Sequence, residues 1–201
     1  MIFIASDCVG ARMYEQLNMQ FNNPFCWSRL SYHDFIFLAN NLNDIDFNKI
    51  DINLINDPAK DKNKNMVGLI RIDNKINVLY PHYIQNSKYS HPTKNNTDVY
   101  YNNITSYILE KYMSRLNRMN LNEDIYLILH HKIDRPGFDV TLNECKNFLR
   151  IKSKYTKILV THERSLLSEQ NNNTNIIIAK QDAETGAIAK KIINNISIIK
   201  Q

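Results

Sequence analysis

Four short segments, almost wholly apolar and separated by helical patterns, constrain the fold of this chain most. They cover residues 2–5, 124–130, 157–162 and 175–179. A strand that is apolar along its whole length is buried on both faces, which is typical of parallel sheets. Helical spacing of apolar residues lies between and after these segments, at residues 9–17, 31–41, 103–119, 141–151 and 183–195. The alternation predicts an α/β fold, a three-layer sandwich with a mainly parallel sheet and helices on both faces.

A β-hairpin is expected as the irregular part of this sheet. Residues 66–72 and 75–80 read as strands, and they flank Asp73-Asn74, a pair suited to a tight turn. At 201 residues the chain has room for one full core. We therefore expect a single domain over residues 1–201, interrupted at about 85–103 by a polar, tyrosine-rich insertion that is either a lid or a tolerated loop.

Composition excludes several classes of protein. Only four glycines occur, and no glycine-rich phosphate loop is present. Three cysteines without C-x-x-C spacing argue against a disulfide framework and a zinc site, so we expect a cytoplasmic protein. No apolar run reaches the ~20 residues of a membrane span, which leaves at most peripheral membrane contact. Much of the net charge of +5 sits at residues 146–157, where a solvated helix end is favoured over nucleic-acid binding.

Chemistry-bearing residues gather where the predicted parallel strands end. In open α/β sheets that edge holds the binding crevice. Cys8 follows the first strand at the start of a helix, whose dipole favours a thiolate nucleophile. A cysteine nucleophile needs a base, and the candidates are His82 at the hairpin exit, His131 and His162. Other polar residues at this edge are Ser6, Asp7, His130, Thr161, Glu163, Gln181 and Asp182.

Each of these residues also has a structural interpretation. Cys8 can be a small buried hydrophobe, as we expect for Cys26 and Cys145. The pair His130-His131 can cap a strand, with one ring inside and one in solvent, and His162-Glu163 can be a surface ion pair. Asp7 would oppose a thiolate at Cys8 unless a histidinium offsets its charge. No tight pair of metal ligands occurs, so no metal is expected.

Several stretches of the chain resemble a family of bacterial proteins labelled exopolysaccharide-biosynthesis or acetyltransferase-like. Residues 4–14 read Ile-Ala-Ser-Asp-Cys-Val-Gly-Ala-Arg-Met-Tyr, and residues 67–83 read Val-Gly-Leu-Ile-Arg-Ile-Asp-Asn-Lys-Ile-Asn-Val-Leu-Tyr-Pro-His-Tyr. Asn23-Pro24 with its aromatic run, residues 32–38 and residues 107–120 extend the resemblance, which covers most of the chain to about residue 163. Asp7 departs from the family pattern, which has Asn there, and the insertion at 85–103 enlarges a usually short link.

A more distant resemblance rests on Cys8 and His82 alone. A cysteine near the N-terminus followed later by a histidine is similar to the permuted papain-like capsule-polysaccharide acetyltransferases. This resemblance implies a Cys8 thiolate that takes an acyl group from a coenzyme A thioester, with His82 as base, and passes it to a sugar hydroxyl of a carbohydrate or glycolipid acceptor. The amides of Val9 and Gly10 would form the oxyanion hole. Asp7 and the aromatic residues Trp27, Tyr83, Tyr100 and Tyr101 would contact the substrate.

Three other functions stay open. A glycosyltransferase that uses a nucleotide-sugar would leave Cys8 as a structural residue. A papain-like peptidase would use the same thiolate on a peptide bond. A noncatalytic glycan- or partner-binding module would use the basic segment at residues 146–157 instead.

Overall fold

A computed structural model describes residues 1–56, 66–81, 97–133 and 137–199, with the backbone alone at 97–100 and 197–199. Its strands are β1 (Ile2–Ala5), β2 (Arg29–Leu30), β3 (Ile50–Asn56), β4 (Met66–Ile72), β5 (Ile76–Tyr80), β6 (Ile125–His130), β7 (Thr156–Thr161) and β8 (Thr174–Ile178). Its α-helices are α1 (Val9–Gln16), α2 (Tyr32–Asn41), α3 (Thr97–Leu116), α4 (Leu142–Arg150) and α5 (Thr185–Ile199), and a 3-10 helix spans Arg164–Glu169.

The four apolar segments form one parallel sheet, as the sequence predicted. Its strand order is β1-β6-β7-β8, and all three pairings are parallel. The register sets Ala5 beside Ile128 and His130 beside Val160. The carboxyl ends of β1, β6 and β7 therefore meet at one edge of the sheet, with β6 between the other two.

The predicted hairpin is present, but it belongs to a second sheet. Strands β4 and β5 pair antiparallel, and the full order is β2-β5-β4-β3. Asp73 and Asn74 both have positive φ, at 51° and 56°, and the Lys75 amide bonds the Ile72 carbonyl at 2.9 Å. These are the features of a type I′ turn, which suits the twist of a hairpin. The Leu30 amide donates to the Ser6 carbonyl at 3.0 Å, so β2 meets the parallel sheet where β1 ends.

Helices cover both faces of the parallel sheet. On one face Phe3, Ala5 and Ile128 pack in a core cluster with buried residues of α1 and α5. On the other face Ile4, Leu127 and Leu129 share a larger cluster with α2, α3, α4 and the second sheet. Because neighbouring side chains of a strand point to opposite faces, odd and even positions of β1 enter different clusters. The three-layer α/β architecture is confirmed.

Local signals in the sequence place several helix ends. Ser31 caps α2 by accepting a bond from the Asp34 amide at 3.1 Å, and Thr141 and Glu144 form a reciprocal capping box at α4. Helix α3 begins at Thr97, six residues before the expected start, so residues 97–103 of the polar segment are helical. The rest of the predicted insertion, residues 85–96, lies outside the described residues. None of the helices in the described ranges combines the length and apolar character that crossing a membrane requires.

Candidate functional site

The site is built where the chain leaves β1 and enters α1. Cys8 occupies the N-cap position of α1, and its side chain does not cap the helix. Gly10 permits the close packing of α1 on β1, since a Cβ there would lie 3.1 Å from the Ala5 Cβ and 3.2 Å from the Phe3 carbonyl oxygen. The turn from strand to helix is therefore tight and buried, and it fixes the position of Cys8.

A buried, hydrogen-bonded pair of side chains, Asp7 and His130, lies beside this turn. The Asp7 Oδ2 is 2.8 Å from the His130 Nδ1, and the two residues are only 7% and 5% exposed. Asp7 Oδ1 accepts the Val9 amide at 3.0 Å, and the Lys132 Nζ lies 3.8 Å from Oδ2. The His130 amide donates to the Ser6 hydroxyl at 3.1 Å. These bonds join the ends of β1 and β6 to the start of α1.

The environment of Asp7 keeps its carboxyl ionised. Burial alone would raise its pKa, but the charge of a protonated His130, the hydrogen bond to that ring, Lys132 and the Val9 amide together hold the pKa well below its usual range. A carboxylate beside Cys8 opposes a thiolate, and His130 and Lys132 offset that charge. His130 is therefore the candidate for the histidinium that the sequence required beside Asp7, and its charged state stays a prediction.

Cys8 differs from the other two cysteines in its surroundings. It is 9% exposed, whereas Cys26 and Cys145 are 1% and 0% exposed. Burial is the main cause that raises the pKa of Cys26 and of Cys145, each to about 12. These two thiols are structural, as the sequence indicated, because they are held in the protonated, unreactive form inside the core.

One of the two predicted oxyanion donors is already engaged. The Val9 amide donates to Asp7 Oδ1, so it would reach an oxyanion only after Asp7 released it. Gly10 lies in the first turn of α1 and is buried. The Gly10 amide therefore stays a prediction as oxyanion donor, and Val9 serves to hold Asp7 in this structure.

His131 and His162 form a second cluster, separate from the Asp7-His130 pair. Their rings stack at a centroid distance of 4.7 Å and an interplanar angle of 21°. His131 Nδ1 is 2.8 Å from the Thr161 hydroxyl, and His162 Nε2 is 3.3 Å from Glu163 Oε1. His131 follows His130 directly, so the alternation along the strand directs the two rings to opposite faces of the sheet.

Burial lowers the pKa of His131, and the neighbouring His162 adds to this effect. The ring is only 5% exposed, as is that of His130. The interpretation that one ring of this pair lies in solvent is therefore wrong. Burial of the two rings is tolerated because the Nδ1 of His130 is hydrogen-bonded to Asp7 and that of His131 to Thr161.

Two of the other predicted substrate residues, Trp27 and Tyr101, have side chains within the described residues. Trp27 is half-buried, with the Arg12 guanidinium 4.7 Å from its ring centroid. Tyr101 is exposed on α3, at 39%, and Tyr100 lies on the same helix. His82 and Tyr83 lie outside the described residues. The space beside the Asp7-His130 pair holds about 10 Å³, room for about one water molecule. It is lined by Ser6, Asp7, Arg29, Leu30, His130, Lys132, Phe138 and Val140.

His130 is the site residue whose role as the partner of Asp7 the sequence did not indicate. Its place at the end of a predicted strand was visible, but the order of the strands was not. Within the described ranges, no three side chains of His, Cys, Asp or Glu are grouped so as to hold a metal ion.

No protein-family model matches this chain, and no curated protein matches it. The case for a function therefore rests on the geometry of the site.

Proposed function

We propose that this protein is a cysteine-dependent acyltransferase of bacterial surface-polysaccharide biosynthesis, which acts in the cytoplasm on a carbohydrate or glycolipid acceptor. The observation that carries this proposal is the buried Asp7-His130 pair placed directly before Cys8 at the start of α1. A protonated His130, together with Lys132 at 3.8 Å from Asp7, would offset the carboxylate next to the thiol, so the α1 dipole could favour the thiolate. A nucleophile fixed on a tight strand-to-helix turn also suits covalent catalysis.

The reaction proceeds in two acyl transfers. In the first, the Cys8 thiolate attacks the carbonyl carbon of a coenzyme A thioester, the carbon–sulfur bond of the donor breaks, and the coenzyme A thiol leaves after taking up a proton. In the second, the acceptor hydroxyl attacks the Cys8 thioester while a base removes its proton, and the Cys8 thiolate is released. The enzyme needs no redox partner for either step.

Asp7 and His130 act as positioning residues in this scheme. The Asp7 carboxylate is hydrogen-bonded both to the His130 Nδ1 and to the Val9 amide. These two contacts fix the turn that carries Cys8. The general base stays a prediction among His82, His131 and His162. His131 and His162 stack on each other in a cluster of their own, and His82 is the base that the resemblance implies.

The first prediction concerns the reactivity of Cys8. Iodoacetamide is expected to modify Cys8 at least tenfold faster than Cys26 or Cys145, because the other two thiols are buried with raised pKa values. Incubation with acetyl-coenzyme A is expected to leave one acetyl group on Cys8. Peptide mass spectrometry of the native protein measures both.

Matched variants separate this function from its alternatives. Cys8→Ala should abolish acyl capture and transfer, whereas Cys26→Ala should keep both if it folds. Equal, slow labelling of all three thiols would contradict the proposal. Transfer retained in Cys8→Ala would indicate a transferase without a covalent step, such as a glycosyltransferase. The absence of a thermal shift with coenzyme A, nucleotide-sugars and oligosaccharides would favour a binding module.

A further inference from the structure

A second cavity lies at the opposite edge of the parallel sheet, where β6, β7 and β8 begin. The register sets Tyr126 beside Thr156 and Lys157 beside Thr174, so these three strands start at one level. The segments that precede them border a groove of about 500 Å³. This volume falls in the range of ~300–1,000 Å³ that is usual for small-molecule sites. At the edge that carries Cys8, the recess beside the Asp7-His130 pair holds about 10 Å³.

Three asparagine side chains line this groove without a protein partner. Asn122, Asn172 and Asn175 all border it, and within the described ranges none of their carboxamides bonds another protein group. Asn122 and Asn172 are exposed and Asn175 is half-buried, so water satisfies these carboxamides in the free protein and a ligand would replace that water. A carboxamide offers two donors and an acceptor. Three such groups around one groove suit a ligand that carries several hydroxyl groups.

Tyr155 supplies a fixed aromatic surface in the same groove. Its ring is half-buried, and its hydroxyl donates to the Asn43 Oδ1 at 3.2 Å, which restrains the ring. The Nζ of the exposed Lys154 lies 5.2 Å from the ring centroid, so Lys154 has to move aside for a ligand to stack there. Tyr126, which also lines the groove, is packed against Phe3 with 5.4 Å between ring centroids. Aromatic faces provide flat apolar area beside polar groups. A pyranose ring has the matching surface, with C–H groups on its face and hydroxyls at its edge.

The charges around the groove balance. Glu123 is paired with the Met1 amino group at 2.5 Å, and Asp124 and Lys154 are the other charged residues of the lining. The two carboxylates of Glu123 and Asp124 face two cations, the Met1 amino group and Lys154. The groove therefore has no net positive charge that would attract a phosphate or a carboxylate. The ligand that fits these surroundings is therefore uncharged.

We infer that this groove binds a neutral oligosaccharide through the carboxamides of Asn122, Asn172 and Asn175 and the ring of Tyr155. The site lies at the other end of the parallel strands from Cys8. It does not depend on the acyltransferase proposal, because it would bind sugar whether or not Cys8 is a nucleophile.

Nuclear magnetic resonance of the uniformly ¹⁵N-labelled full chain tests this inference. The probes are maltotriose, cellotriose and chitotriose, each titrated separately, with adenosine monophosphate as a charged comparison. At least one trisaccharide is expected to shift the amide signals of residues 122–126, 154–156 and 172–175 in a saturable way. The double variant Asn122→Ala/Asn172→Ala should raise the Kd about tenfold, since each lost hydrogen bond weakens binding several-fold.

Asn48→Ala is the matched control, because Asn48 is exposed and does not line the groove. It should leave the Kd within about twofold, and the spectrum of each variant shows whether it is folded. The inference is overturned if no trisaccharide shifts these signals, if the shifts map outside the groove, or if only the nucleotide produces them. Tyr155→Leu should also weaken binding several-fold, and unchanged affinity in both groove variants would overturn the assignment of the residues.

Discussion

At the scale of single residues, the Asp7-His130 pair determines how the chain leaves β1. Asp7→Asn keeps the size of the side chain and can still accept the Val9 amide, but it removes the charge that faces His130. A buried hydrogen bond to a charged group contributes about 1.5–3 kcal/mol, so we expect a loss of about 2 kcal/mol in the free energy of unfolding. Denaturation by guanidinium at pH 7 measures it.

Asp51→Asn is the control for this change. Asp51 is exposed on β3, where it accepts a bond from the Asn53 side chain at 2.8 Å. Its substitution should change the free energy of unfolding by no more than about 0.5 kcal/mol. Equal effects of the two variants would show that the Asp7-His130 pair does not stabilise the fold.

At the scale of elements, a buried lysine terminates α4. Lys157, on β7, is 3% exposed, and its Nζ donates to the carbonyls of Phe148, Leu149 and Ile151 at 3.3, 2.5 and 2.7 Å. Burial lowers its pKa. The last carbonyls of a helix have no partner within it, and a cation there also suits the helix dipole. Lys157→Met keeps the length of the side chain but leaves these carbonyls unpaired.

We expect Lys157→Met to destabilise the protein by about 2 kcal/mol, because buried acceptors that lose a charged donor are costly. The midpoint of denaturant unfolding reports the change. Lys152→Met is the matched control, since Lys152 is exposed in the same connection and should shift the midpoint little. A stable Lys157→Met protein would mean that water replaces the ammonium group at the helix end.

At the scale of the whole molecule, stability should fall in acid in two stages. The pKa of His131 is lowered in the folded state, so its contribution to stability is present above about pH 6.5 and is lost as the pH falls through the folded value. The pKa of Asp7 is also lowered, so its contribution is present above about pH 4 and is lost below that pH. In both cases the unfolded chain binds the proton more readily.

Denaturant unfolding between pH 7 and pH 3 measures this profile. His131→Gln should remove the fall in the free energy of unfolding just below pH 6.5 and keep the fall below about pH 4. Asp7→Asn should keep the fall below pH 6.5 and remove the one below about pH 4. His33→Gln, at an exposed position on α2, is the control and should keep both stages. A profile that is flat in the native protein from pH 7 to pH 5 would contradict the role of His131.

The sequence alone determined the four parallel strands, the two strands of the hairpin with their turn, and most helices of this protein, but not β2 or β3. Apolar runs without alternation are buried on both faces, so β1, β6, β7 and β8 could be recognised without tertiary information. The hairpin turn at Asp73-Asn74 and the helix starts at Ser31 and Thr141 depend only on residues close to them in the sequence. Local chemistry therefore predicted them.

Only the tertiary structure decided how those elements combine. Asp7 meets His130 across 123 positions of the chain because β1 pairs with β6 in one register, and no local pattern encodes that pairing. For the same reason Lys157, taken from sequence as part of a solvated basic segment, is buried against α4, and the hairpin lies in a second sheet. The order of the strands determines which polar groups are buried together. That order depends on contacts between residues far apart in the chain, which the local patterns of a single sequence do not reveal.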